Sequence, residues 1–218
     1  MLIQIAIDGP CASGKSTIAA LIAEKYGFYR VDSGLFYRGI TVVMLENNCV
    51  EREEIILFLP KLRFKLFKNS LFNNGKNISE ACRDKIVDKN VSFYASILEV
   101  RKYVNKVIED YVRMSDKSFI IDGRDIGSVV LPNADIKFYL TSSSKTRAER
   151  RVREREGCSL EETLKFIEDR DFKDINRKYD PLVCVKEAII IKNDFLSLEE
   201  TLEEFCKHID NFIKKKSI

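Results

Sequence analysis

The chain has 218 residues, enough for one domain that carries an insertion and buries a sizeable apolar core. Its formal net charge is only +3, so the overall charge does not argue for nucleic-acid binding. The six scattered cysteines form no C-x-x-C pair, and no apolar stretch reaches the roughly 18 residues of a membrane span. With no basic leader after Met1, we expect a soluble cytoplasmic protein with neither a zinc site nor a membrane anchor.

Strands and helices are predicted to alternate, a pattern typical of a parallel sheet covered by helices on both faces. Short apolar runs predict the strands, and apolar residues at helical spacing predict the helices. In chain order the prediction is strand 2–7, helix 15–25, strand 28–32, helix 35–47, helix 84–113 with one break, strand 118–122, strand 135–140, helix 144–178 interrupted near Gly157, strand 187–191 and helix 197–214. The expected fold class is therefore α/β, with a five-stranded parallel sheet.

Residues 62–79 break this alternation, because apolar and polar residues alternate there around an Asn-Gly pair. That pattern predicts hairpin-like strands. Since it lies between helices, we expect a small inserted subdomain. The basic tail, residues 214–218, is expected to be a solvated end.

Residues 9–16 match the phosphate-binding pattern G-x-x-x-x-G-K-[ST], directly after the first strand and at the start of the first helix. Its glycines let backbone N–H groups turn toward phosphate oxygens, and the helix adds the positive end of its dipole. We expect Lys15 to contact the β- and γ-phosphates of a nucleoside triphosphate and Ser16 to hold Mg²⁺. The predicted triphosphate loop is Gly9, Pro10, Cys11, Ala12, Ser13, Gly14, Lys15, Ser16 and Thr17.

The loop alone does not separate a kinase from a nucleotide-dependent switch, but the chain has no guanine-reading N-K-x-D motif. It has arginines near the predicted carboxyl ends of strands, where open α/β sheets bind ligands, which suggests a second phosphate-bearing substrate. Arg170, Asp174 and Arg177 are spaced by four and three, which predicts one helix face; an intrahelical ion pair is the alternative. The arginines of interest are Arg38, Arg101, Arg124, Arg170 and Arg177.

The chain resembles the bacterial type of cytidylate kinase over nearly its whole length, through IAIDGPCASGKST, VDSGLFYRG, IIDGRDIGSVVLPNADIKFYLT and RDFKDINRKYDPL. The D-G-R-D-I-G-x-V-V-x-P-x-A-D run is far more specific than the phosphate loop, since adenylate kinases carry a D-G-F-P-R-type segment there. The resemblance implies a P-loop kinase fold with a monophosphate-binding insertion at about residues 36–112 and a helical lid at about residues 144–178. Cys11 and the pair Tyr179-Asp180 depart from the family pattern without removing a group that the reaction needs.

The reaction implied by this resemblance transfers the γ-phosphoryl group of ATP to CMP or dCMP, giving ADP with CDP or dCDP. The attacking phosphate oxygen is already anionic, so catalysis needs positioning and charge neutralisation rather than a general base. The implied catalytic residues are Lys15, Arg124 and Arg177, and Asp122 is implied to order the water shell of the Mg²⁺ held by Ser16.

The acceptor residues are also carried over from the resemblance. Arg38 and Arg124 would bind the acceptor phosphate beside the turn of Ser33 and Gly34, and Arg177 would cover the transferring group. Arg170 and Asp174 would meet the sugar, and the cytosine would be read by Ser92, Arg101 and Asp125. Four of these assignments stay open. Asp32 is either structural or catalytic, Asp122 is alternatively a strand-end cap, and Arg101 is alternatively an exposed helix residue. Adenine stacks on one of Arg147, Arg150 and Arg151.

Other functions also stay open at this point. The chain could phosphorylate UMP or AMP, or bind nucleotide as a regulatory protein without transferring phosphate. A kinase acting on a hydroxyl group would need a carboxylate base, for which Asp125 is the one nominee. The expected partners are ATP and CMP or dCMP, and the expected oligomeric state is a monomer.

Overall fold

Strands and helices alternate along most of the chain in a computed structural model, which describes residues 2–67, 70–154, 157 and 159–216. The first part contains β1 (Gln4–Asp8), α1 (Lys15–Tyr26), β2 (Tyr29–Asp32), α2 (Ser33–Glu46), α3 (Arg52–Phe58), β3 (Phe64–Phe67), β4 (Ser70–Asn73) and β5 (Lys76–Asn77). The second part contains α4 (Lys85–Ala95), α5 (Leu98–Met114), β6 (Phe119–Gly123), β7 (Ile136–Thr141), α6 (Ser144–Glu154), α7 (Leu160–Asn176), β8 (Ile189–Lys192) and α8 (Leu198–Lys216).

The chain divides into two compact units. We call the first the sheet unit; it comprises Met1–Val31, Ser115–Asn176 and Asp180–Ile218. We call the second the helical unit; it comprises Asp32–Met114 and Arg177–Tyr179.

The sheet unit is built on five parallel strands in the order β2-β6-β1-β7-β8, which confirms the predicted α/β class and strand number. The central strands are continuous apolar runs because helices cover both faces of a parallel sheet. The core contains Ile5 and Ile7 of β1, Phe138 of β7 and Phe205 of α8, all at most 1% exposed. The register pairs Ile7 with Asp122 and Asp8 with Gly123, so the ends of β1 and β6 lie side by side.

The helical unit contains an antiparallel sheet in the order β3-β4-β5. Asn74 and Gly75, between β4 and β5, both have positive φ, as tight hairpin turns require. This agrees with the hairpin-like strands expected over residues 62–79, of which residues 68 and 69 lie outside the described part. Helix α3 was not predicted, although Glu51 and Glu54 form a capping box at its start.

Two helix boundaries refine the sequence prediction. The break expected within residues 84–113 falls between Ala95 and Leu98. Helix α7 ends at Asn176, so the prediction that Arg177 shares a helix face with Arg170 is wrong. Near the expected interruption at Gly157, residues 155, 156 and 158 lie outside the described part, as does the end of the basic tail. Among the described helices, none has the length and apolar character that crossing a membrane requires.

Candidate functional site

The loop between β1 and α1 has the backbone of a phosphate-binding turn. Gly9 has a φ of +152°, and a Cβ atom there would lie 2.1 Å from the carbonyl oxygen of Leu140, so only glycine fits. Gly14 has a φ of +92° and directly precedes α1. The first N–H groups of a helix have no acceptor within it, so the start of α1 can donate hydrogen bonds to an anion.

Lys15 is buried at the start of α1, with 6% of its surface exposed. Its ammonium donates to the carbonyl oxygen of Pro10 at 2.6 Å and to the hydroxyl of Ser13 at 3.1 Å. Burial, with the nearby positive charge of Arg124, lowers the pKa of Lys15 to about 7. An incoming anion would therefore stabilise the charged form of this amine, which burial disfavours.

Ser16 and Asp122 place two oxygen donors beside the loop. The Ser16 hydroxyl donates to Oδ2 of Asp122 at 2.6 Å, and Asp122 is 2% exposed. Hydroxyl and carboxylate oxygens suit Mg²⁺, so this pair fits the predicted metal. No cluster of three His, Cys, Asp or Glu side chains able to hold a metal exists in the described part of the chain. A cation here would need further oxygen ligands from phosphate and water.

Asp8, which the sequence analysis did not nominate, holds the turn that follows β6. Its carboxylate accepts the backbone N–H groups of Ile126 at 2.8 Å and Gly127 at 2.7 Å. Burial raises the pKa of Asp8 to about 6, against the lowering effect of those two N–H groups. This contact fixes the segment that carries Arg124 and Asp125.

Arg124 lies just beyond β6 and pairs with α7. Its Nε donates to Oδ2 of Asp174 at 2.8 Å, with both side chains largely buried. Burial by itself would lower the pKa of Arg124, but the carboxylate of Asp174 raises it above its ordinary value. Two of the residues assigned to the acceptor are thus brought together, and Arg170 lies on the same helix as Asp174.

Helices α6 and α7 clamp the phosphate loop at Cys11. The backbone N–H of Cys11 donates to Oδ1 of Asp171 at 2.7 Å, and its carbonyl accepts from Arg147 at 2.7 Å. Arg147 and Asp171 also pair with each other at 2.6 Å. Asp171 was missed because its role depends on a backbone contact 160 residues away in the chain.

A cavity of about 680 Å³ opens beside the loop, within the sheet unit. Of the three arginines considered for adenine, Arg150 lines this cavity, whereas Arg147 is buried in the clamp. The guanidinium carbon of Arg151 lies 5.0 Å from the ring centroid of Phe166. Phe195, which the sequence analysis did not nominate, also lines the cavity and is 99% exposed.

The helical unit holds Arg38 on α2 in a charged pair. Its guanidinium donates to Asp88 at 2.6 Å and to the carbonyl oxygen of Cys82 at 3.0 Å. Asp32 accepts the backbone N–H of Leu35 at 3.2 Å and caps α2, a structural role. Helix α2 itself begins with Ser33 and Gly34.

Arg101 on α5 is fully buried, so the alternative of an exposed helix residue is wrong. It donates to the carbonyl oxygen of Ala95 at 3.0 Å, and its guanidinium carbon lies 5.4 Å from the ring centroid of Tyr37. Ser92 lies on α4 of the same unit and is half-buried. The remaining assigned residues divide between the units, with Arg177 in the helical unit and Asp125, which is buried, in the sheet unit.

A parallel strand, a glycine turn with an inward lysine and a helix together define a P-loop nucleotide-binding protein. Two solved structures share the fold. They are TT1252 from Thermus thermophilus (TM-score 0.51, 20% identity, 95% of this chain and 96% of that one) and an uncharacterized protein from Eubacterium ventriosum (TM-score 0.53, 16% identity, 95% and 98%).

The sequence comparisons then narrow the class. The family model described as cytidylate kinase matches residues 5–211. The chain is 40% identical to a "Probable cytidylate kinase" of Vairimorpha ceranae over 98% of its own length and 100% of the relative's. It is 36% identical to a "Cytidylate kinase" of Clostridium botulinum (strain Langeland) over 98% of each. The chain belongs to the cytidylate kinase family.

Proposed function

We propose that this protein transfers the γ-phosphoryl group of ATP to CMP and dCMP, forming ADP with CDP or dCDP. The observation that carries the proposal is the family match across residues 5–211, which includes the phosphate loop with its buried Lys15. Cytoplasmic location and a monomeric state remain predictions from the sequence.

The sheet unit supplies the groups for the donor. Lys15 and the N–H groups at the start of α1 bind the β- and γ-phosphates. When phosphate oxygens replace the Pro10 carbonyl and the Ser13 hydroxyl as its acceptors, the amine of Lys15 is held in its protonated form. Ser16 and Asp122 would hold Mg²⁺, which when bound supplies positive charge to the phosphate oxygens. The clamp formed by Arg147 and Asp171 keeps the peptide of Cys11 fixed as the loop fills.

The acceptor is bound by arginines because their planar forks match phosphate oxygens. Arg38, Arg124 and Arg177 bind the monophosphate and the transferring group. Arg38 is already paired with Asp88, and Arg124 with Asp174, so both guanidinium groups are oriented before the acceptor arrives. The nucleophile is a phosphate oxygen that carries its own negative charge, and the enzyme therefore removes no proton from it.

The cytosine is read by Ser92, Arg101 and Asp125. Cytosine presents an amino donor and a ring-nitrogen acceptor, whereas uracil presents the reverse. A carboxylate and a hydroxyl accept from the amine, and a guanidinium donates to the ring nitrogen and carbonyl. The burial and fixed contacts of Arg101 support this role, since a held donor discriminates better than a mobile one.

The adenine of ATP lies in the cavity beside the loop, against Arg150 and Phe195. Of the three arginines, Arg150 is the one that lines the cavity, where it donates to the carbonyl oxygen of Asn193 at 2.5 Å. Arg150→Ala and Phe195→Ala should each raise the KM for ATP several-fold and leave the KM for CMP near its normal value, because stacking contributes about 1 kcal/mol. Phe172→Ala is the matched control, because Phe172 is also exposed and lies on α7. Equal KM values for ATP in the unchanged protein and the three variants would show that adenine does not bind against Arg150 and Phe195.

A coupled assay of ADP release with CMP, dCMP, UMP, AMP and GMP tests the function directly. Rapid turnover of CMP and dCMP alone supports the proposal, while a preference for UMP or AMP would assign another nucleoside monophosphate kinase. ATP binding without turnover of any acceptor would assign a regulatory protein.

The pH profile separates this reaction from a hydroxyl kinase. The acidic limb should follow the second ionisation of the acceptor phosphate, near pH 6 for a phosphate ester. A limb that moves on replacing Asp125, but not on altering the pKa of the acceptor phosphate, would favour a hydroxyl acceptor.

A further inference from the structure

Arg30, a residue outside the assigned site, contacts the carboxylate beside the phosphate loop. It lies on β2, the strand next to β6 in the sheet. Its Nε and Nη2 atoms both donate to Oδ1 of Asp122, at 3.2 and 3.1 Å. The other oxygen of that carboxylate, Oδ2, accepts the Ser16 hydroxyl at 2.6 Å. Arg30 thus occupies the side of Asp122 that Ser16 leaves open.

The contact is buried, which makes the charge of Arg30 effective. The side chain of Arg30 is 13% exposed and that of Asp122 only 3%. Charges out of water interact more strongly than charges at the surface. From its place in the strand that reads FYRVD, this arginine can neutralise a carboxylate on the adjacent strand.

The charge balance has a consequence for a divalent cation. Ser16 is neutral, and the single negative charge of Asp122 is offset by Arg30. From Ser16, Asp122 and Arg30 together, a cation at these two oxygens would meet little net negative charge. The phosphates of ATP bring the missing negative charge, so the metal and the nucleotide would be retained together.

We propose that Arg30 is a positioning residue that orients Asp122 and holds the affinity for a free divalent cation low, so that the metal is retained only with the nucleotide. The inference rests on the proposed ATP site. It makes no claim about the acceptor, so it can fail while the kinase activity stands.

Binding of Mn²⁺, measured by electron paramagnetic resonance without and with ATP, tests this proposal. Arg30→Met keeps an apolar stem and removes the charge, while Arg30→Lys keeps the charge and loses the fork. We expect nucleotide-free Arg30→Met to bind Mn²⁺ at least about tenfold more tightly than the unchanged protein, given the interaction of two charges at short range. Arg30→Lys should stay within a few-fold of the unchanged protein, and Asp122→Asn added to Arg30→Met should abolish the gain.

Thermal unfolding of each variant shows whether the fold survives, and Arg30→Gln replaces Arg30→Met if the latter does not fold. Equal or weaker Mn²⁺ binding by the folded, uncharged variant overturns the role of Arg30, and Arg30 is then a structural tie between two strands. Uptake of Mn²⁺ by the unchanged protein that does not depend on ATP also overturns it. Failure of the proposed function would give a different result, because the unchanged protein would then not bind ATP. That result would contradict both proposals.

Discussion

Lys15 in the sheet unit and Arg38 in the helical unit are both cations assigned to phosphate, but different kinds of partner hold them. In the sheet unit, two uncharged acceptors hold the ammonium of Lys15, the Pro10 carbonyl and the Ser13 hydroxyl. In the helical unit, the carboxylate of Asp88 holds Arg38 at 2.6 Å. A buried cation among neutral groups gains strongly from an arriving anion, whereas a paired cation must share or exchange its partner. The comparison indicates that the phosphate loop contributes charge compensation and Arg38 contributes orientation.

The largest expected effect is the preference for CMP over UMP. This preference depends on how hydrogen-bond donors and acceptors are oriented, not on the charge of the site. We expect kcat/KM for CMP to exceed that for UMP by about 10⁴-fold or more, because polar groups left unpaired by the wrong base reject it strongly. Asp125→Asn should narrow the gap, since its amide offers a donor to the uracil carbonyl. Steady-state kinetics with both nucleotides measure this, and equal values in the unchanged protein would contradict the assigned base pocket.

Removing the ammonium of Lys15 should nearly abolish transfer. Lys15→Ala is expected to lower kcat by about 10²- to 10³-fold, the loss found when one pre-organised charge contact to a transition state is deleted. The variant should still fold, because the amine is held by neutral acceptors only. Lys173→Ala, at an exposed lysine of α7, is the control. Circular dichroism checks that the variant is folded. A substantial kcat in folded Lys15→Ala protein would contradict the role of the phosphate loop in catalysis.

Removing the guanidinium of Arg38, which is paired with Asp88, should weaken binding of the acceptor CMP only. We expect Arg38→Ala to raise the KM for CMP roughly 10- to 100-fold, since a hydrogen bond to a charged group contributes about 1.5–3 kcal/mol. The KM for ATP should change little. Arg52→Ala is the matched control, because Arg52 is an exposed arginine of the same unit that also pairs with a carboxylate, Glu99. Equal losses for both substrates would mean that Arg38 only supports the fold.

Arg170 and Asp174 should separate acceptor binding from donor binding within the sheet unit. We expect Arg170→Ala and Asp174→Ala each to impair use of CMP about tenfold more than binding of ATP, because both residues are assigned to the sugar of the acceptor. The Asp174 change also releases Arg124. Isothermal titration with each nucleotide measures the two affinities. If both affinities fall together, these residues fasten α7 and do not contact the acceptor.

The smallest expected effect is the uptake of a proton by Lys15 when ATP binds. Because the pKa of Lys15 is lowered to about 7, most molecules carry the neutral amine at pH 8. A bound triphosphate favours the charged form, so ATP binding at pH 8 should take up close to one proton, and far less at pH 6. Calorimetry in two buffers of different ionisation enthalpy measures the uptake. Lys15→Met should abolish it, and uptake that persists in that variant would assign the proton to another group.

Local patterns accounted for the parts of the site that depend on neighbours in sequence. The glycine turn between β1 and α1, with its buried lysine, follows from a motif contained within one turn of the chain. The phosphate contacts assigned to it stay a prediction. The hairpin of residues 62–79 followed from alternation around Asn74 and Gly75. Helix α3 was missed although its capping box was readable, and the end of α7 was misplaced by two residues, which removed Arg177 from the helix face.

By itself the sequence determined the α/β class, the strand number, the loop and the resemblance that led to the family, because these depend on periodicity and short motifs. The tertiary structure alone decided which charges meet. It placed Asp171 on Cys11, Arg30 on Asp122 and Asp174 on Arg124, contacts that join residues between 50 and 160 positions apart. Such pairs depend on which strands are neighbours and which helix faces point inward, and local sequence carries no record of either.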